Sequence, residues 1–261
     1  MPGYPYIGKV CILGAMKRMH YGSILFGSSA VLFGGVALMW RDAGTWQNLR
    51  QLWNLPMGHD LGALLMAAQI AGGAGLFYSR TRRMAAIVLG AVYVIFCLAC
   101  LPGIFAALSE YAGYESFTEQ LSALCGAAAL YAGTETKEAL AALFGRFARI
   151  GMGLCAVSSA VAQIFYFRFT ANLVPGWIPP SATFWTAMTT GAFALAGAAI
   201  LLRCWSRLAM RLLALMLFLF GALVWIPLLI AHPGSHGDWS EFALTLLIAG
   251  AYSAAGELKN L

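Results

Sequence analysis

The sequence predicts an all-α fold, a polytopic transmembrane helical bundle of about eight spans, and three observations carry that expectation. Of the 261 residues, 61% are hydrophobic and only 10% are charged, and mean hydropathy is +0.77, whereas a soluble domain carries roughly 25% charged residues. The apolar residues come in runs that approach or reach the roughly 20 needed to cross a hydrocarbon core about 30 Å thick. The runs are also continuously apolar, where barrel strands would alternate apolar and polar residues over about ten positions. Soluble, disordered and nucleic-acid-binding classes are thereby excluded. The net charge of +6 is assigned to orienting helices against the membrane, so no nucleic-acid partner is expected.

Taken in order, residues 1–19 carry Lys9, Lys17 and Arg18 around the short apolar stretch Val10 to Met16. That stretch is shorter than most signal-peptide cores, and the segment reads as a cytoplasmic tail. Apolar runs then fall at 20–40, 61–79, 84–108, 117–133, 149–171, 183–202, 207–231 and 242–257, each bounded by charge, proline or turn residues. The fourth and eighth runs are short and are expected to extend by a turn into their polar flanks. Residues 134–148 read as a cytoplasmic linker between a first membrane unit, 20–133, and a second, 149–261.

Basic residues set the expected orientation. With both ends cytoplasmic and eight spans, the inner segments hold Lys9, Lys17, Arg18, Arg80, Arg82, Arg83, Lys137, Arg146, Arg149, Arg203, Arg207, Arg211 and Lys259, which is 13 of the 16 basic residues. Arg41, Arg50 and Arg168 are left outside. The acidic residues Asp42, Asp60, Glu110, Glu115, Glu119, Asp238 and Glu241 also fall outside, although they count for little in this rule. The chain repeats itself as well. The stretch from Gly75-Leu76-Phe77-Tyr78-Ser79-Arg80 through Leu101-Pro102 to Tyr131-Ala132-Gly133 runs parallel to Ala199-Ile200-Leu201-Leu202-Arg203 through Ile226-Pro227 to Ala254-Ala255-Gly256, at an offset of 123 to 125 residues. Four spans per unit return the chain to its starting side, so the units are parallel repeats.

The second unit contains Leu173-Val174-Pro175-Gly176-Trp177-Ile178-Pro179-Pro180, then Phe184-Trp185, a Gly/Ala-rich helix ending at Arg203, Arg207-Leu208-Ala209, and His232-Pro233 with Asp238-Trp239. In these features it resembles DoxX-like small bacterial membrane proteins. In the first unit, Gln69-Ile70-Ala71-Gly72-Gly73-Ala74-Gly75-Leu76 is similar to the Glu-Ile-Ala-Gly-Gly motif of that family's second helix, with Gln in place of Glu. The resemblance implies a tandem duplication of a four-helix unit in the bacterial inner membrane. It also implies an association with quinone and thiosulfate metabolism, with quinone as the possible cofactor and a membrane redox enzyme or other membrane subunit as the possible partner.

Several residue groups are candidates for chemistry. Cys97 and Cys100 have the Cys-x-x-Cys spacing of a redox-active pair, although cysteine also packs well between membrane helices. His232, His236, Asp238 and Glu241 are metal-ligand types within ten residues, but Pro233, Gly234 and Gly237 argue against a helix that would align them, so no metal site is assigned. The alternative for that loop is a solvated turn in which Asp238 or Ser240 caps the eighth helix. His59 and Asp60 open the second helix, Asp60 as a cap or first-turn residue beside the positive dipole end. Gln69 and Gln163 are the most polar residues deep in the spans, and no ionisable residue is central in any of them, which counts against ion-coupled transport. Trp53, Trp177 and Trp185 belong to loops at the outer surface, and together with His59, Asp60, Gln69 and Gln163 they form the candidate ligand pocket. Pro102 and Pro227 are expected to kink matching helices. The function expected is that of a non-catalytic or redox-associated membrane subunit. The alternatives are a carrier for a lipid or other small hydrophobic molecule, and a structural scaffold.

Overall fold

The computed structural model describes residues 21–41, 47, 49 and 56–258. Trp53 and the N-terminal segment 1–19 lie outside the described residues. The described chain is all-helical, with α1 (Tyr21–Trp40), α2 (Gly58–Gly75), α3 (Arg82–Ala106), α4 (Tyr111–Thr134), α5 (Glu138–Phe165), the short α6 (Phe167–Leu173), α7 (Ala182–Leu201), α8 (Ser206–Ala231) and α9 (His236–Gly256). Five of these, α1, α3, α5, α7 and α8, are long and apolar enough to cross a membrane.

The helices pack in a closed circuit, α1 on α2, α2 on α3, α3 on α4, α4 on α5, α5 on α7, α7 on α8, α8 on α9 and α9 on α1, with α4 and α9 also meeting each other. Close backbone approach explains several of these pairings. A Cβ on Gly73 of α2 would lie 2.7 Å from the Gly27 carbonyl oxygen of α1, and one on Gly197 of α7 would lie 3.1 Å from the Gly153 carbonyl oxygen of α5. Helices pack this tightly where small residues line the seam, since lipid supplies no hydrophobic drive between them. The interior between the helices is filled by large side chains, among them Phe26, Phe33, Tyr93, Phe96, Met152, Met210 and Tyr252.

Two helix starts differ from expectation. The linker expected at 134–148 contracts to a three-residue turn, because the alanine- and leucine-rich sequence from Glu138 has high helix propensity and Glu135 closes the turn. Its carboxylate accepts the Thr136 and Lys137 N–H groups at 2.8 and 3.0 Å. The eighth long helix begins at His236 despite the glycines around it, because Ser235 caps it by accepting the Asp238 N–H at 3.2 Å. The cap is therefore neither Asp238 nor Ser240. Asp238 sits in the first turn, and Ser240 is buried inside.

The two matching prolines also differ. Pro102 lies within an uninterrupted α-helical stretch of α3, whereas Pro227 follows a π-helical segment, Gly221–Trp225, in which the Ile226 N–H reaches the Gly221 carbonyl. The wider turn absorbs the missing donor at Pro227 and re-aims Trp225, whose Nε1 donates to Thr245 Oγ1 on α9 at 3.0 Å.

At the basic end of the bundle, Arg83 pairs with Glu135 at 2.7 Å, and Tyr131 donates to the same carboxylate. The Lys137 and Thr136 N–H groups, the Tyr131 hydroxyl and Arg83 together hold the Glu135 pKa down to about 2, the Lys137 N–H contributing most. A carboxylate with a lowered folded-state pKa stabilises the fold above its unfolded value and loses that contribution as pH falls through the folded one. Wild-type protein is therefore expected to lose stability between about pH 4.5 and 2, and Glu135→Gln is expected to flatten that part of the profile. Thermal midpoints in detergent across this window check it, and parallel profiles would remove Glu135 from the account.

Candidate functional site

The other end of the bundle gathers carboxylates. Tyr111, Glu115, Thr118, Glu119 and Ser122 recur on α4 at helical spacing, so they share one flank of the helix. That flank is tied to α5. The Tyr111 hydroxyl and Ser158 Oγ lie 2.8 Å apart, Thr118 Oγ1 and Ser158 Oγ lie 3.0 Å apart, and Cys155 Sγ donates to the Thr118 carbonyl at 3.2 Å. Tyr111 also stacks on Phe165 at 5.3 Å between ring centroids. Glu241, in the second turn of α9, comes from the opposite side of the α4/α9 pair. One turn further along, Thr245 holds the Trp225 indole.

Glu115 and Glu119 lie one turn apart on this flank of α4, so their charges oppose each other. Neither Glu115 nor Glu119 forms an ion pair among the described residues. Glu119 is surrounded by protein, yet part of its surface stays accessible. Carboxylates gathered in a poorly hydrated setting are costly unless protons or a cation join them. The arrangement suits holding protons.

The sequence-predicted residues are distributed differently. Cys97 and Cys100 are free thiols and 6% and 3% exposed, and Cys100 Sγ donates to the Phe96 carbonyl at 3.3 Å. Exchange with an outside disulfide needs an accessible thiolate, which this burial opposes. Among the described cysteines only Cys204 is exposed. Maleimide on the folded protein is expected to label Cys204 and to reach Cys97, Cys100, Cys125 and Cys155 only after unfolding. Rapid labelling of Cys97 or Cys100 on folded protein, read by peptide mass spectrometry, would overturn this.

Gln69 is fully buried, and its Nε2 donates to the Ala30 carbonyl of α1 at 3.2 Å. Gln163 Oε1 accepts from Thr190 and Thr189 of α7 at 2.8 and 3.2 Å. Each glutamine thus joins a different helix pair, and neither faces the other. His59 and Asp60 are exposed in the first turn of α2. Trp177 is exposed in the loop between α6 and α7, while Trp185 donates to the Pro179 carbonyl at 2.9 Å. The pocket residues that can be placed therefore occupy separate helix pairs and loops. His232 Nδ1 lies 3.5 Å from Asp238 Oδ2, and His236 stacks on Trp40 at 5.3 Å. Among the described residues no group of His, Cys, Asp and Glu is arranged to hold a metal ion.

Sequence reading passed over Glu115 and Glu119 because it counted both among the outer acidic residues, although Glu119 falls within the 117–133 run. The available signal was the Tyr-x-x-x-Glu-x-x-Thr-Glu spacing from Tyr111, which already has helical period and runs without a break into the apolar stretch. No family model, no curated protein and no solved structure matches this chain.

Proposed function

We propose that this chain is an eight-span DoxX-like protein of the bacterial inner membrane, built from two parallel four-helix repeats with both ends cytoplasmic. We infer that it acts as a non-catalytic membrane subunit that holds protons at Glu115 and Glu119. Several observations support the architecture. Eight helices have 18 residues or more, and they coincide with the eight apolar runs. The principal packing pairs map onto themselves when α1, α2, α3 and α4 are exchanged for α5, α7, α8 and α9.

The function rests on one observation, the placement of Glu115 and Glu119 on the flank of α4 that is bonded to α5, with neither forming an ion pair among the described residues. Ionisable residues inside membrane helices are by default functional, because their cost selects against idle ones. Association with a quinone-linked redox enzyme follows from the DoxX resemblance, and a proton-holding subunit is compatible with such a partner.

The test is labelling with dicyclohexylcarbodiimide, an apolar reagent that couples to carboxyls held in apolar surroundings, on the full chain in mild detergent. Peptide mass spectrometry is expected to find the adduct on Glu119 in wild type and to lose it in Glu119→Gln. Labelling confined to exposed Glu110 and Glu138 would overturn the reading.

A further inference from the structure

We propose that Arg146, Arg149 and Arg203, where the start of α5 meets the turn between α7 and α8, bind the phosphate group of an anionic phospholipid. Arg149 fixes the site. It is 9% exposed, and its Nη1 donates to the Ile200 and Leu201 carbonyls at 2.9 and 3.2 Å. Those carbonyls belong to the last turn of α7, where the helix has no donors of its own to offer. The guanidinium is thereby held rigidly with donor capacity to spare, since it has five N–H groups in a fixed fork.

Arg146 is one turn earlier on α5 and exposed, and Arg203 is exposed in the turn, both close enough to Arg149 to repel it. None of the three pairs with a carboxylate among the described residues. The turn holds this arrangement against its own preferences. Arg203 and Trp205 have φ of 61° and 54°, a left-handed conformation that bulky residues seldom adopt and that needs a compensating interaction. Ser206 Oγ, donating to the Ile200 carbonyl at 3.4 Å, helps to close it.

Planar guanidinium groups match phosphate oxygens in geometry as well as charge. The surroundings select a lipid over a free ion. Phe147, Leu202 and Trp205 are 42%, 78% and 79% exposed beside the arginines, an apolar surface for acyl chains with a tryptophan at the depth Trp prefers.

The experiment is native mass spectrometry of the full-length protein in detergent, with phosphatidylglycerol and phosphatidylcholine added in equal amount. Wild type is expected to retain phosphatidylglycerol preferentially. R146Q/R203Q is expected to weaken that retention by about five-fold per arginine removed. R146K/R203K is expected to keep most of it, and R80Q/R82Q, on the other basic turn, to leave it unchanged. Equal retention of both lipids, an unaffected R146Q/R203Q, or an equal loss in R80Q/R82Q would each overturn the site. Displacement of the lipid by excess inorganic phosphate would overturn the lipid assignment. Gel filtration and thermal midpoints establish that the variants are folded, and the lysine pair guards against loss through misfolding.

Discussion

Gly250→Val is expected to destabilise the purified protein by about 1–3 kcal/mol or to prevent its assembly, the penalty for overpacking a tight interior contact. A Cβ at Gly250 on α9 would lie 2.6 Å from both the amide nitrogen and the Cα of Phe26 on α1. Those are backbone atoms, so no rotamer change relieves the clash and the two helices must separate. The seam is shared with Gly22, where a Cβ would lie 2.6 Å from Ala254, and it ends at the Glu257 carboxylate, which accepts the Gly22 N–H at 2.8 Å. Separation at Gly250 would therefore strip a donor from the start of α1 as well. Because α1 and α9 close the circuit of helices, the loss spreads to the α4/α9 contact, where Gly126 faces Ala251. Gly90→Val and Gly191→Val provide the control, since nothing lies within 4 Å of either site, and each is expected to stay within about 0.5 kcal/mol of wild type. The measurement is the midpoint of aggregation on heating in detergent, followed by unfolding in increasing sodium dodecyl sulfate. Equal midpoints for Gly250→Val and Gly90→Val would show that the α1/α9 seam is plastic.

Each of the eight apolar runs coincides with a helix of 18 residues or more, and five of those helices are long and apolar enough to cross a membrane. The ends were less legible. Residues 111–116 and 236–241 are polar enough to look like loops, yet polar residues are at home in the first turns of a helix, whose leading N–H groups need acceptors from outside the helix. Ser235 at α9 and Glu135 before α5 supply the missing acceptors, which were invisible to a reading based on hydropathy. The same habit hid the site. Glu119 fell inside the 117–133 run, but counting it with the outer acidic residues treated it as a flank of the helix and not as part of its packed face. The candidate pocket was less legible for a different reason. Trp177, His59 and Gln163 were grouped by composition and by the end of the bundle they occupy, and composition does not say which helices are neighbours.

Glu119→Gln is expected to raise stability, by about 0.5–2 kcal/mol, the range common for substitutions that relieve an unfavourable charge. The amide keeps the shape of the carboxyl and removes its repulsion with Glu115, one turn away on α4. Glu115→Gln is expected to act in the same direction. The double variant should then gain less than the sum of the two, because both changes relieve one shared repulsion and neighbouring sites do not add. Protons bound at these carboxyls make the wild-type thermal midpoint depend on pH and leave Glu119→Gln with a smaller response. A Glu119→Gln protein less stable than wild type would mean that the carboxylate is fully satisfied by its neighbours, and the functional reading of this junction would fall. The direction of one thermal shift thus separates a costly group retained for what it binds from one retained for what it holds together.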